Sequence, residues 1–156
     1  MRQFQLQIAL ALALPTLSLG VSAPALADPA EPRTALVGVT KPAGPYSPGV
    51  VVGRLVFLSG QVGADPTTNT LVAGGVKAET KQAMENLGKL LQEAGLDFSH
   101  VVKSTVFLAD IQDFAEMNSV YGSFFSAVAV PPARSTIQAG ALPRGARVEI
   151  EFIAVK

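Results

Sequence analysis

The chain has no cysteine and no tryptophan, carries one histidine, and balances 12 lysines and arginines against 12 aspartates and glutamates. Each shortage excludes something. Without cysteine there are no disulfides, no thiolate nucleophile, no cysteine-held zinc and no lipid attached through an N-terminal cysteine. The lone His100 has no ligand-spaced partners, so a histidine-rich metal centre is not supported, and Ser-His-Asp catalysis has only that residue to draw on. No run of Lys and Arg stands in the folded part. Nucleic-acid binding needs such clusters to neutralise phosphates, and the even charge balance argues against it.

The N-terminus is of a different kind. Arg2 precedes an apolar run, "IALALALPTLSL" (8–19), and Ala25-Leu26-Ala27 supplies a small-x-small cleavage site. This pattern predicts a secretory signal peptide over residues 1–27. The run is interrupted by Pro15 and falls short of the roughly 20 residues a transmembrane helix needs. The competing reading is an uncleaved membrane anchor. Cleavage after Ala27 removes one cation and leaves the remainder one unit negative, exported and, on this reading, periplasmic. Residues 28–33, "DPAEPR", read as a flexible leader, and 34–156 as one domain with one core.

Within that domain the periodicity changes several times. "TALVGV" (34–39) reads as a strand, "KPAGPYSPG" as a structured loop, and "VVVGRLVFLSGQ" as a strand or a hairpin bent at Gly53. From Val76 to Ala94, the positions Val76, Thr80, Ala83, Leu87, Leu90, Leu91 and Ala94 recur at three- and four-residue steps and predict a helix. Lys81, Glu85, Lys89 and Glu93 read as an i,i+4 ladder on its outer side, and Gly95 as its C-terminal stop. "VVKSTVFLAD" (101–110) reads as a strand. Asp113 and Glu116 resemble a capping box opening a second helix to about Ala127, with Phe114, Met117, Val120, Tyr121 and Phe124 as its buried face. Strands near 133–139 and 147–155 close the chain. The order predicts an α+β fold with two helices on one face of a sheet.

The strands are apolar on both sides. In "RLVFLSG", Leu55 and Phe57 oppose Val56 and Leu58, and Phe107 opposes Val106 and Leu108. Two helices cover one face only, so the second predicts a homo-oligomer; the alternative is a monomer whose long loops cover it. In the last strand Val148, Ile150, Phe152 and Ala154 form one apolar row, leaving Arg147, Glu149 and Glu151 on the other side. Carboxylates there belong at a wet subunit boundary, because burial of an unpaired charge costs several kcal/mol. Arg134 follows the pair Pro131-Pro132 and so stands at a strand entrance. It suits a carboxylate clamp or, equally, a salt bridge to Glu149 or Glu151.

The segments "KPAGPYSPG", "FLSGQVG", "VVKSTVFLADIQDFAEMNSVYGSFF" and "PPARSTIQAGALPRGARVEIEFIAV" resemble, in order, the motifs of the reactive-intermediate imine deaminases, the RidA-like family. That resemblance implies a chorismate-mutase-like mixed sheet, a homotrimer with clefts between subunits, and hydrolysis of 2-imino acids to 2-oxo acids and ammonia without metal or organic cofactor. It makes Arg134 the grip on the substrate carboxylate. Glu149 matches the residue that positions the attacking water or the leaving nitrogen, while Tyr46, Gly60 and Asn118 match cleft residues contributed by two subunits. Read from the residues alone, Tyr46 is equally a loop anchor, Gly60 a bulge or close backbone contact, and Asn118 helix-surface polarity. Thr136 stands where relatives often carry cysteine. The alternatives are a non-catalytic module that binds small carboxylates in the same clefts and, from descriptions of relatives, RNA cleavage or translation inhibition and chaperone-like holding. Export separates the chain from cytosolic sources of imino acids and leaves its natural substrate open.

Overall fold

A computed structural model describes residues 31–38, 42 and 44–156. The segment expected to be a signal peptide and residues 28–30 of the leader lie outside the described residues. The chain doubles back at Gly53, whose φ of 54° admits the tight turn between β2 (Gly49–Val52) and β3 (Leu55–Val62). The hairpin expected there is formed. On its outer side β2 pairs with β1 (Arg33–Leu36), which begins one residue earlier than the sequence suggests because Arg33 pairs with Val52. β4 (Val101–Leu108), β5 (Ala133–Gln138) and β6 (Val148–Val155) complete one six-stranded sheet in the order β1-β2-β3-β6-β4-β5. All pairings are antiparallel except β4 with β5.

That single parallel pair needs a crossover, supplied by α2 (Phe114–Phe124); α1 (Gly75–Glu93) links β3 to β4. Both helices lie on the same face. Val76, Thr80, Ala83, Leu87, Leu90 and Leu91 of α1 are buried as their spacing requires, against Val56, Leu58, Val106, Leu108, Ile150 and Phe152 of the sheet. Gly95, at φ 76°, donates to the Gln92 carbonyl while Leu96 donates to Leu91, a glycine-centred stop that closes α1 at its expected end.

Several local expectations give way to longer-range partners. Of the charge ladder on α1, only Lys81–Glu85 forms, at 2.5 Å. Glu93 instead accepts hydrogen bonds from the Val37 and Gly38 amides, at 2.7 and 3.0 Å, and pins the segment after β1. Asp113 makes no cap on α2. Its carboxylate takes both Nε and Nη2 of Arg147, at 2.9 and 2.8 Å, so Arg147 points toward the start of α2 rather than standing with Glu149 and Glu151. Asp110 caps the preceding turn instead, accepting from the Gln112 amide. α2 ends at Phe124, short of Ala127, and Phe125 is buried, whereas Phe114 is 40% exposed. The uncovered face of the sheet carries Leu55 and Phe57, each 42% exposed, and Ile137, 49% exposed, around Glu149 and Glu151.

Candidate functional site

The residues singled out in the sequence fall into two groups at two places on the subunit. Tyr46, Gly60 and Glu149 line one cleft, joined by Asn69 and Arg144. Arg134 and Asn118 line another, a hollow of about 330 Å³ walled by Tyr121, Phe125, Pro131 and Pro132.

The first cleft is built around an irregularity in β3. Its register against β6 shifts between Leu58 and Gln61, and Gly60 sits in the bulge. A side chain there would overlap the carboxylate of Glu149, with the nearest clash at Oε1. Gly60 is therefore a close-approach glycine, which was one of its two readings. The loop carrying Tyr46 is tied to the same bulge: Ser59 donates through Oγ to the Ser47 carbonyl at 2.7 Å and through its amide to Pro48 at 2.9 Å. Tyr46 itself is half-exposed at the cleft. Glu149 pairs with Val62 and Phe107 on either side, between the buried Val148 and Ile150. Alternation thus turns it to the uncovered face. No cation lies within salt-bridge distance among the described residues. Loss of solvent, and secondarily the negative Glu151, push its carboxyl above the ordinary range.

Arg144 was not foreseen as a site residue. It holds a left-handed backbone (φ 61°, ψ 11°) and hydrogen-bonds the carbonyl and side chain of Asn69, itself at φ 57°. Its only signal in the sequence is the turn-forming "LPRG" just before the last strand.

Arg134 stands on the opposite face. It pairs with Ser104, which is fully buried under the helices, and its Nη2 donates to Asn118 Oδ1 at 2.8 Å. The guanidinium lies over the Tyr121 ring, 4.6 Å from its centroid, and 5.8 Å from that of Phe114. No carboxylate comes within 4 Å of it among the described residues. The salt bridge to Glu149 or Glu151 is thus not made, and Asn118 is a partner of the arginine rather than idle surface polarity. Near Arg134 the hydroxyls of Ser104, Tyr121 and Thr136 are buried and meet no partner in good hydrogen-bond geometry among the described residues, although the Tyr121 oxygen lies near enough to Ser104 and Arg134 for both to act on it. Burial raises the Tyr121 phenol, while Ser104 and the Arg134 charge act against that rise. Among the described residues no three His, Asp or Glu side chains gather as a metal-ligand set. The chemistry on offer among the described residues is a cation without an acidic partner in one place, and a carboxylate without a cationic partner, close against Gly60, in another.

The pattern of the endoribonuclease L-PSP family matches residues 34–156. The 2-iminobutanoate/2-iminopropanoate deaminase of mouse is 54% identical over 113 residues, covering 72% of this chain and 82% of that protein. The human protein of the same name is 50% identical over 113 residues, with coverages of 72% and 81%. Protein DfrA of Myxococcus xanthus is 53% identical over 117 residues, covering 74% and 88%. Among solved structures, E. coli TdcF with bound serine superposes with a TM-score of 0.71 at 39% identity, over 75% of this chain and 92% of that one. Yeast Mmf1 gives 0.74 at 33% identity, over 80% and 99%. Two helices on one face of a mixed sheet, a family pattern spanning every element from β2 onward, and half the aligned residues shared with imine deaminases lead to one conclusion: this chain belongs to the endoribonuclease L-PSP, or RidA-like, family.

Proposed function

We propose that this chain is an exported imine deaminase that hydrolyses 2-imino acids to 2-oxo acids and ammonia, in clefts shared between subunits of a homotrimer and without metal or organic cofactor. The observation that carries the reading is Arg134: a guanidinium held in place at the mouth of a hollow with no acid to pair it among the described residues. Such a group suits a ligand carboxylate, which meets it with two parallel hydrogen bonds.

The reaction asks little else of the protein. The imine carbon is already electrophilic, so water adds at C2, both of its protons pass in turn to the nitrogen, and ammonia departs as C=O replaces C=N. No electrons change hands. A clamp fixes the reacting carbon, and Glu149, with its raised affinity for a proton, relays one between water and nitrogen. Support for the substrate class comes from the mammalian relatives that bear the deaminase name. The test generates 2-iminopropanoate in place and follows ammonia release with and without the purified chain. Acceleration that disappears in Arg134→Ala is the expected result; an unaccelerated wild type leaves only a module that binds small carboxylates. That second reading has its own support, since TdcF was solved with serine bound.

Export rests on residues 1–27 alone. The mass of the chain recovered from the periplasm tests it, with loss of that segment expected and a full-length mass overturning it.

A further inference from the structure

Three residues of α2, Phe114, Asn118 and Tyr121, are spaced by four and three and so share one stripe of the helix. All three touch Arg134: two ring faces and one amide oxygen. An arginine on an edge strand, without an acidic partner, would ordinarily sample many rotamers. Here Asn118 takes one donor at 2.8 Å and the guanidinium carbon stands over both ring faces. A guanidinium carries five N–H donors in its plane. One hydrogen bond and two ring contacts therefore hold the group while leaving donors for a planar carboxylate.

We propose that Phe114 and Tyr121 are positioning residues for the Arg134 clamp, holding its guanidinium in one place so that its remaining N–H donors meet a ligand's carboxylate without first having to be ordered. This rests on the reading of Arg134 as a carboxylate clamp. The attraction between cation and ring comes from the electron-rich face of the ring and strengthens as the group is desolvated. Tyr121, nearer and buried, is the stronger support; Phe114, farther and 40% exposed, is the weaker. The Tyr121 hydroxyl lies near enough to Ser104 and Arg134 for both to act on it, so ring and hydroxyl are separated by Tyr121→Phe, which keeps the ring and removes the oxygen.

Tyr121 also packs on Phe125, with ring centroids 4.9 Å apart, so truncating it would confuse positioning with stability. Fluorination separates the two, because it drains the ring face while nearly keeping its shape. The experiment measures binding of 2-oxobutanoate by calorimetry to the full assembly, for Tyr121→Phe and for the same position carrying di- and trifluorinated phenylalanine. Tyr121→Phe is expected to match wild type within about twofold, and the fluorinated series to weaken binding stepwise to about fivefold, at an unchanged melting temperature. Phe114→Leu is expected to weaken it less. In an Arg134→Ala background the series should be flat. A flat series with Arg134 present, or a loss already complete in Tyr121→Phe, overturns the proposal, as does a wild type that fails to bind 2-oxobutanoate. Binding that follows the series in a chain that does not hydrolyse imines upholds the positioning role while refuting the deaminase.

Discussion

Glu149 is the residue whose environment departs most clearly from that of a surface carboxylate. It lies on an inner strand, close against Gly60, with no cation to offset its charge among the described residues. Burial first, and Glu151 second, raise its pKa. The sign for stability follows: a carboxyl that binds its proton more tightly when folded makes the fold lose stability as pH rises from the ordinary glutamate value through the raised one. For catalysis the ionised form is the base, so the acid limb of kcat/KM should lie above the ordinary carboxylate range. Glu151→Gln removes the smaller cause and should move that limb to lower pH in a pH–rate profile. An unmoved limb would show that Glu149 is not the group that titrates. Gly60→Ala tests the same spot sterically. Its methyl would displace the Glu149 carboxylate, and we expect kcat/KM to fall about a hundredfold, the loss typical of a misplaced catalytic group, with the far-ultraviolet spectrum unchanged. Arg134 and Glu149 were legible in the sequence because a proline pair and strict alternation fix where each stands. The support of Arg134 by Phe114 and Tyr121 was not: helical spacing says only that such side chains share a stripe, and a crossover contact between α2 and β5 leaves no periodic trace.

At the scale of elements, the strands and helices stand where period and punctuation place them, while their fastenings do not. The apolar stripe of α1 and its glycine stop are local signals, and both hold. Charged residues are less legible, since a helix carboxylate can take a partner within its own turns or a donor far along the chain, a backbone amide for Glu93 and a guanidinium for Asp113. Glu93 and Asp113 both take the distant partner. Amide hydrogens offered to an ionised acceptor are stronger partners than an exposed lysine. The consequence for Glu93 is measurable. In Glu93→Ala the Val37 and Gly38 amides lose their acceptor, and their hydrogen exchange should quicken roughly tenfold, spreading into β1. Exchange at β4 and β6, in the middle of the sheet, should not change. Equal acceleration in those strands would mean that Glu93 supports the whole fold rather than one edge.

For the molecule as a whole, the two half-sites pose a geometric problem that one subunit does not solve. Arg134 lies on the helix-covered side of the edge strand β5, and Glu149 on the uncovered side of the inner strand β6. A small imino acid is too short to touch both through a packed sheet. The uncovered face bears Leu55, Phe57 and Ile137, each more than two-fifths exposed, a concentration of apolar surface that soluble chains ordinarily bury. On the function proposed above, copies stacked through that face would answer both demands, with the arginine of one subunit brought toward the glutamate of another. The last prediction concerns this assembly. Phe57→Glu places a charge in the apolar patch without touching any residue of either half-site. Sedimentation equilibrium should show the wild type as three copies and the variant as one, with its melting still cooperative. Imine hydrolysis should vanish with the assembly, and on mixing with Arg134→Ala chains it should not return, because the charged face cannot dock. A monomeric wild type, or a monomeric Phe57→Glu chain that keeps its activity, would mean that the two half-sites work separately and that the shared cleft does not exist.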